Sequence, residues 1–439
     1  MSITARIATS SAILAGLLHC LVGSQPLHAD EDLGGLSAEE FSFDVEEFEK
    51  SPWSLDGYVQ GDSRYADPNH GSDFHRLASL GKDLEDGRFQ GGLGLQVRLT
   101  YQQGPFEAHA LSMMTQDYSG DDWAGDALLY EGNLSLQVNP NMYFTLGKTL
   151  LRWGKGYAWT PTNFVARDKS PSDPDLALEG YWLGLAEFVK SFPGPLKTLA
   201  FTGVILPVSD GVNDDFGQEG HIDVAGKLYL LLYDTDIDIM ALSDGSRTAS
   251  YGLTASRNLT SNLEIHGELA LTTDFERKVV DVDGTVAVEE DDAWSYLIGL
   301  RYLAPTDTTL IIEYFHNGKG YSGKEAGSFF DLVDREDDAS LAASRPSITG
   351  YQRPNFMRNY LFLKASQKEP FGWLYVAPSL FIIVNLDDGS YSLTPEVTYT
   401  KFDNLELRFR LSYLDGSDGS EYGEKTSNWM AEVRARYFF

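Results

Sequence analysis

Cysteine is almost missing from this chain: of 439 residues only Cys20 is one. Because it lies within the first 29 residues, the remainder has neither a disulfide framework nor a thiolate metal site. Long apolar runs are missing too. After residue 29 none approaches 18 residues, which excludes membrane-crossing helices. Positive charge is scarce, with 34 Lys and Arg against 65 Asp and Glu and a net charge of −31. That balance excludes nucleic acid as a partner. Enzyme motifs are absent as well: there is no G-x-S-x-G, no H-E-x-x-H and no P-loop, and the glycines of "GGLGLQ" stand in a strand-like stretch. "DVDGTVAVEEDD" has the aspartates of a calcium loop, but its glycine is at the wrong offset for an EF-hand. The expectation is therefore a protein without catalytic activity, cofactor or resident metal.

What is there begins with an export signal over residues 1–29. Arg6 supplies the positive start, "SSAILAGLLHCLVG" the apolar core and "LHA" a cleavage site before Asp30. Removing Arg6 with the signal takes the net charge from −31 to −32. Residues 30–52 form an acidic leader with nine acids and one lysine, and with Phe41, Phe43 and Phe48 spaced along it. It reads as a solvated segment, with a plug or docking element as the alternative.

From Trp53 onward the pattern is strand, turn, strand, loop. "GLGLQVRLTY" alternates Leu93, Leu95, Val97, Leu99 and Tyr101 against Gly94, Gln96, Arg98 and Thr100. "LEIHGELALT" sets Leu263, Ile265, Leu269 and Leu271 against Glu264, His266 and Glu268. A two-residue period marks sheet with one apolar and one polar face. Eighteen such segments begin near residues 53, 88, 105, 127, 142, 178, 197, 221, 236, 248, 262, 293, 307, 358, 372, 388, 404 and 428. Short connections such as "QQGP", "NPN" and "YDTD" alternate with mostly longer polar ones, the longest over about 318–358. Trp53 and Trp373 fall at short-turn ends of strands, and Trp153, Trp182, Trp294 and Trp429 near the opposite ends, as expected of aromatic girdles at two membrane interfaces. The pattern predicts an all-β protein: a transmembrane antiparallel up-and-down barrel of about 18 strands over residues 53–439, apolar outside and polar inside. An even strand count puts both ends on the short-turn, periplasmic side.

The chain closes on "WMAEVRARYFF". Phe439 as the last residue, with Tyr437 two before it, resembles the carboxy-terminal signature that the outer-membrane assembly machinery reads in bacterial barrel proteins. That resemblance implies assembly-machinery recognition, a bacterial outer-membrane location, and contact with lipid and lipopolysaccharide. "GKTLLRWGKGYAW" resembles the strand-then-loop motif of alginate-export-type and related porin-like barrels. In general porins the third outer loop folds into the channel and sets its constriction. Here the matching loop offers Lys155, Tyr157, Trp159, Arg167, Asp168, Lys169, Asp173 and Asp175, either inside the channel or packed on the rim.

A barrel this wide holds water rather than being filled by its own side chains. The alternation assigns Arg98, Glu264, His266, Glu268, Glu396, Glu406, Arg408, Arg410, Glu432, Arg434 and Arg436 to the lumen wall. The four arginines of the last two strands are either braced by the three nearby glutamates or free to form a track for an anionic solute. The outer loops are acidic and read as solvated, with cation bridging to lipopolysaccharide phosphates as the alternative. The functional expectation is passive passage of small hydrophilic solutes. Two alternatives stay open: export of an anionic polysaccharide, and a barrel that sheathes a periplasmic partner such as an electron-transfer cytochrome. No C-x-x-C-H is present, so any haem would belong to that partner.

Overall fold

In the computed structural model the described residues are 51–79, 88–119, 122–173, 176–335, 348–351 and 353–439. The expected export signal and all but the last two residues of the leader lie outside them. So does Asp175.

Eighteen strands follow one another in the chain. The first six are β1 (Trp53–Pro68), β2 (Arg88–Gln103), β3 (Phe106–Ser119), β4 (Asp122–Asn139), β5 (Met142–Thr149) and β6 (Tyr181–Ser191). Next come β7 (Leu196–Val208), β8 (His221–Leu232), β9 (Thr235–Leu242), β10 (Ser250–Thr260), β11 (Leu263–Val280) and β12 (Val286–Leu303). The last are β13 (Thr308–His316), β14 (Asn359–Gln367), β15 (Val376–Asn385), β16 (Tyr391–Tyr399), β17 (Leu405–Asp415) and β18 (Ser427–Phe438). Each strand pairs antiparallel with the next, and β18 pairs with β1, so the sheet is a closed barrel with no free edge. Closure runs to the final residue: Phe439 and Gly57 exchange both backbone hydrogen bonds, at 3.0 and 3.1 Å.

The outer wall is an apolar belt. Leu134, Leu146, Ile205, Ile298, Phe409 and Val433 are all exposed there. Inward residues follow the two-residue period that the sequence predicts, but three strand starts differ by four residues or more. β4 begins at Asp122 and β12 at Val286, earlier than the alternation marks, because both strands run on past the apolar belt into acidic hairpin arms. β15 begins later, at Val376, because Glu369, Phe371 and Tyr375 adopt left-handed conformations that hold residues 368–375 as a turn.

Trp53, Trp182, Trp294 and Trp373 are exposed, but Trp153 corrects the girdle expectation. It is buried inside the barrel, packed with Tyr181, Leu183, Val204 and Leu206. The long loop between β13 and β14 also differs from a plain polar loop. It carries helix α2 (Gly323–Val333), opened by a capping box in which Ser322 and Glu325 satisfy each other's backbone amides. The first loop carries the short helix α1 (Asp73–Ser79). Phe74 of α1 and Phe329 and Phe330 of α2 share one apolar cluster with Phe315, Phe362 and Phe381 on the inner faces of β13 to β15. The β11–β12 arm leans on the same assembly through an Arg277–Glu325 ion pair at 2.7 Å. Loops thus fill part of the barrel from one end.

Candidate functional site: a loop seated across the lumen

The loop between β5 and β6 enters the barrel. Its first turn needs glycine: Gly154 has φ +90°, and a Cβ on Gly156 would sit 2.0 Å from the Trp159 carbonyl oxygen. This tight turn aims its amides at two carboxylates on the inner wall. Glu268 of β11 accepts from the Lys155 and Gly156 amides at 2.5 and 2.7 Å, and from the Thr162 hydroxyl at 2.6 Å. Glu313 of β13 accepts from the Tyr157 and Ala158 amides at 2.6 and 2.9 Å. Hydrogen bonds to an ionised acceptor are each worth about 1.5–3 kcal/mol, so these two side chains form a firm seat. Lys155 adds an ion pair with Asp238 of β9 at 2.9 Å.

Apolar packing completes the seat. Trp159 stacks on Phe315 at 5.1 Å and meets Phe362 edge-on at 6.1 Å. Trp153, Phe164 and Val165 cover inward side chains of β6 to β9, among them Val204, Leu206, Val208, Met240 and Leu242.

The loop then runs to a second sector of the wall, six strands round from β11. Asp173 lies 3.3 Å from Arg408 and 3.1 Å from Arg410, both on β17. On the way Arg167 binds Asp215 at 2.8 Å, donates to the Glu179 and Gly180 carbonyls at 2.8 and 3.0 Å, and lies over the Tyr181 ring. Lys169 donates to the Gly156 carbonyl at 2.9 Å. Asp168 stays exposed. The loop therefore touches β9, β11 and β13 on one side and β17 on the other, rather than lying on the rim.

Several wall residues sit differently from a simple water-lined face. His266 and Glu268 point inward but lie under the loop. The His266 side chain is fully buried, with Nε2 2.9 Å from Glu313 and the Tyr157 ring 5.5 Å away. Glu264 accepts from the Tyr157 hydroxyl at 3.3 Å. Trp159 is buried against the wall. Arg98 faces the lumen from β2 and pairs with Asp56 at 3.3 Å.

The arginines of β17 and β18 divide into two kinds. Arg408 binds Glu432 at 2.6 Å, and Arg410 binds Glu396 at 2.6 Å; both also hold Asp173. Arg64 of β1 adds a contact to Glu432 at 3.0 Å. This is a bracing ladder with the loop's aspartate built into it. Arg434 pairs with Glu406 at 3.5 Å and stands opposite Asp62 of β1, and Arg436 donates to neutral Gln60.

Sequence reasoning missed Glu313 and Asp238. Glu313 is a lone acid in a strand whose other inward residues are mainly apolar, and that isolation is the signal that marks it, whereas Asp238 shares its face of β9 with Asp236. Among the described residues no group of three or more His, Asp or Glu side chains is placed to hold a metal.

No protein-family model and no curated protein matches the chain. Solved structures do. Pseudomonas aeruginosa OccK5 (OpdH) is 11% identical, with 88% of this chain and 98% of that one covered, at a TM-score of 0.51. Acinetobacter baumannii OccAB1 is 10% identical, with 88% and 96% covered, at 0.52. A triple mutant of a Rhodopseudomonas blastica porin is 10% identical, with 88% and 100% covered, but at 0.44 its superposition is too loose to carry weight. Likeness at such identity speaks to the fold alone, and the fold is a porin-like, closed antiparallel barrel.

Proposed function

We propose that this chain is a bacterial outer-membrane channel for passive passage of small hydrophilic solutes, with the β5–β6 loop as its constriction. One observation carries the reading: the loop is tied to both sides of the lumen, by Glu268 and Glu313 on one wall and by Asp173 on the other. A loop so placed narrows an aqueous passage without plugging it with a folded domain. The polar sector opposite its apolar seat, with Gln60, Arg64, Arg98 and Arg436, is the wall along which water and solute pass.

The membrane setting follows from the outer surface. An exposed apolar belt on a sheet with no edge satisfies every backbone amide without water, which a bilayer demands. In this reading residues 1–29 are removed on export. Tyr437 and Phe439 are read by the barrel assembly machinery, and the acidic outer loops stand among lipopolysaccharide headgroups.

Single-channel recording in planar bilayers tests the proposal. The wild type should give discrete, ohmic conductance steps. Glu268→Gln and Glu313→Gln weaken the amide contacts by removing the acceptor's charge. They should give larger and noisier steps, because the loop spends more time off its seat. Steps identical to wild type in the double variant would remove the loop as the constriction. A barrel that inserts without conducting would remove the channel.

A further inference from the structure

We propose that this barrel pairs with a second copy of itself in the membrane, through a leucine ridge on β4 and β5 and a hollow beside it on β6 and β7. Such pairing goes beyond the channel reading above: it requires the barrel to sit in lipid but not to conduct.

The strand register builds the ridge. Leu134 of β4 and Leu146 of β5 stand directly opposite each other, and both face outward. At 67% and 70% exposed they are the barest leucines among the described residues. Beside them the wall sinks. Gly184 and Ala186 of β6 and Gly203 of β7 floor a hollow of about 540 Å³, which Ile205 and Val224 close on the far side. That volume has room for two leucine side chains.

Glycine inside a strand weakens it, and is kept where the backbone bends or where another body comes close. Neither Gly184 nor Gly203 adopts a left-handed conformation. A Cβ would meet nothing nearer than 3.8 Å at Gly184 and 3.5 Å at Gly203, ordinary contact in both cases. Among the described residues nothing crowds a side chain there, so these glycines keep space open on the outside. The floor is also held from behind. Trp153, Phe164 and Val165 pack against Leu183, Val204 and Ala225 on the inner faces of β6 to β8. A wall backed in this way keeps its shape, and filling the hollow costs little reorganisation.

In lipid, apolar side chains gain nothing by leaving the solvent, and association rests on close packing of surfaces that fit. An acyl chain must be ordered before it fills the hollow, whereas a leucine pair on a paired strand is already fixed. This wall carries both halves of such a fit side by side. Two copies sit the same way up, so a two-fold axis along the membrane normal, between ridge and hollow, seats each ridge in the other's hollow. The contact is isologous and closes at two.

The test mixes donor-labelled and acceptor-labelled barrels in phosphatidylcholine vesicles and follows energy transfer as lipid is added. The mass of the particle extracted in mild detergent counts the copies. Heat-modifiable migration first confirms that each variant has formed a barrel. The wild type should keep its transfer on dilution and give a particle of two copies. Gly203→Leu fills the hollow and Leu146→Ala removes half the ridge. Each should weaken association by about tenfold, the scale of lost fit at a packed surface. Ile298→Ala trims a comparably exposed side chain on β12, at 65%, and should leave association unchanged.

Monomers at every dilution would mean that lipid fills the hollow, and a particle of three would mean a ring; either overturns the pair. So does pairing that survives both Gly203→Leu and Leu146→Ala, or that Ile298→Ala weakens equally. A wild type that conducts as a monomer overturns this interface alone. One that pairs without conducting keeps the interface and overturns the channel.

Discussion

Asp73 shows how one buried carboxyl ties three outer loops together. It opens α1, its amide donates to Glu424 at 2.6 Å, and its carboxylate meets Arg76, which in turn reaches Asp334. Burial, and then the charge of Glu424, push its pKa up to about 7, against the opposing pull of Arg76. A carboxyl raised in this way keeps its proton in the docked state after an undocked one has lost it. Its contribution to docking is full below about pH 4, declines as pH rises towards 7, and is gone above that. Hydrogen exchange at the α1 amides, corrected for intrinsic rates, should therefore show weakening protection from pH 4 to 7. Asp73→Asn should flatten the profile across that window. A variant profile that still falls like the wild type would place the titration elsewhere. Nothing in the sequence singles out Asp73, because its effect depends on Glu424, 351 residues away in the chain.

At the scale of elements, the last strand carries the plainest consequence of closure. Phe439 pairs with Gly57 through both backbone bonds, while Tyr437 is exposed on the outer wall. Deleting Phe439 removes two closing hydrogen bonds and the terminal aromatic. The yield of heat-modifiable barrel in outer-membrane fractions should drop several-fold, and wild-type yield would count against the terminus as an assembly signal. The strands themselves were legible because lipid outside and water inside impose a two-residue period, and short turns punctuate it. The loop seat was legible only in part. "GKGYAW" could be marked as a loop, but its docking depends on Glu268 and Glu313 from strands more than a hundred residues on. Helix α2 was legible and went unread: Ser322 and Glu325 ahead of "SFFDLV" form a capping-box signature. Strands β6 to β9 blur the pattern for a physical reason. Their inner faces meet apolar loop side chains as well as water, so both sides read as apolar.

For the whole molecule, eight connections share one end of the barrel with the start of β1 and the end of β18, and the others, most of them longer, share the other end. A tag placed in the 318–358 loop beyond α2 should be labelled on intact cells, whereas one at 139–141 should be reached only after the outer membrane is broken. Surface labelling of the 139–141 tag would invert the topology.

The two-sided apolar strands have a further consequence for assembly. In β7, Phe201 and Ile205 face outward while Val204, Leu206 and Val208 face inward. A one-residue slip would trade apolar for apolar on either side, so the bilayer alone scarcely penalises the error. What tells right from wrong there is the fit of Trp153, Phe164 and Val165 against the inner face. It acts as a gauge for their register, and a chain with these three side chains shortened would misregister first in this sector.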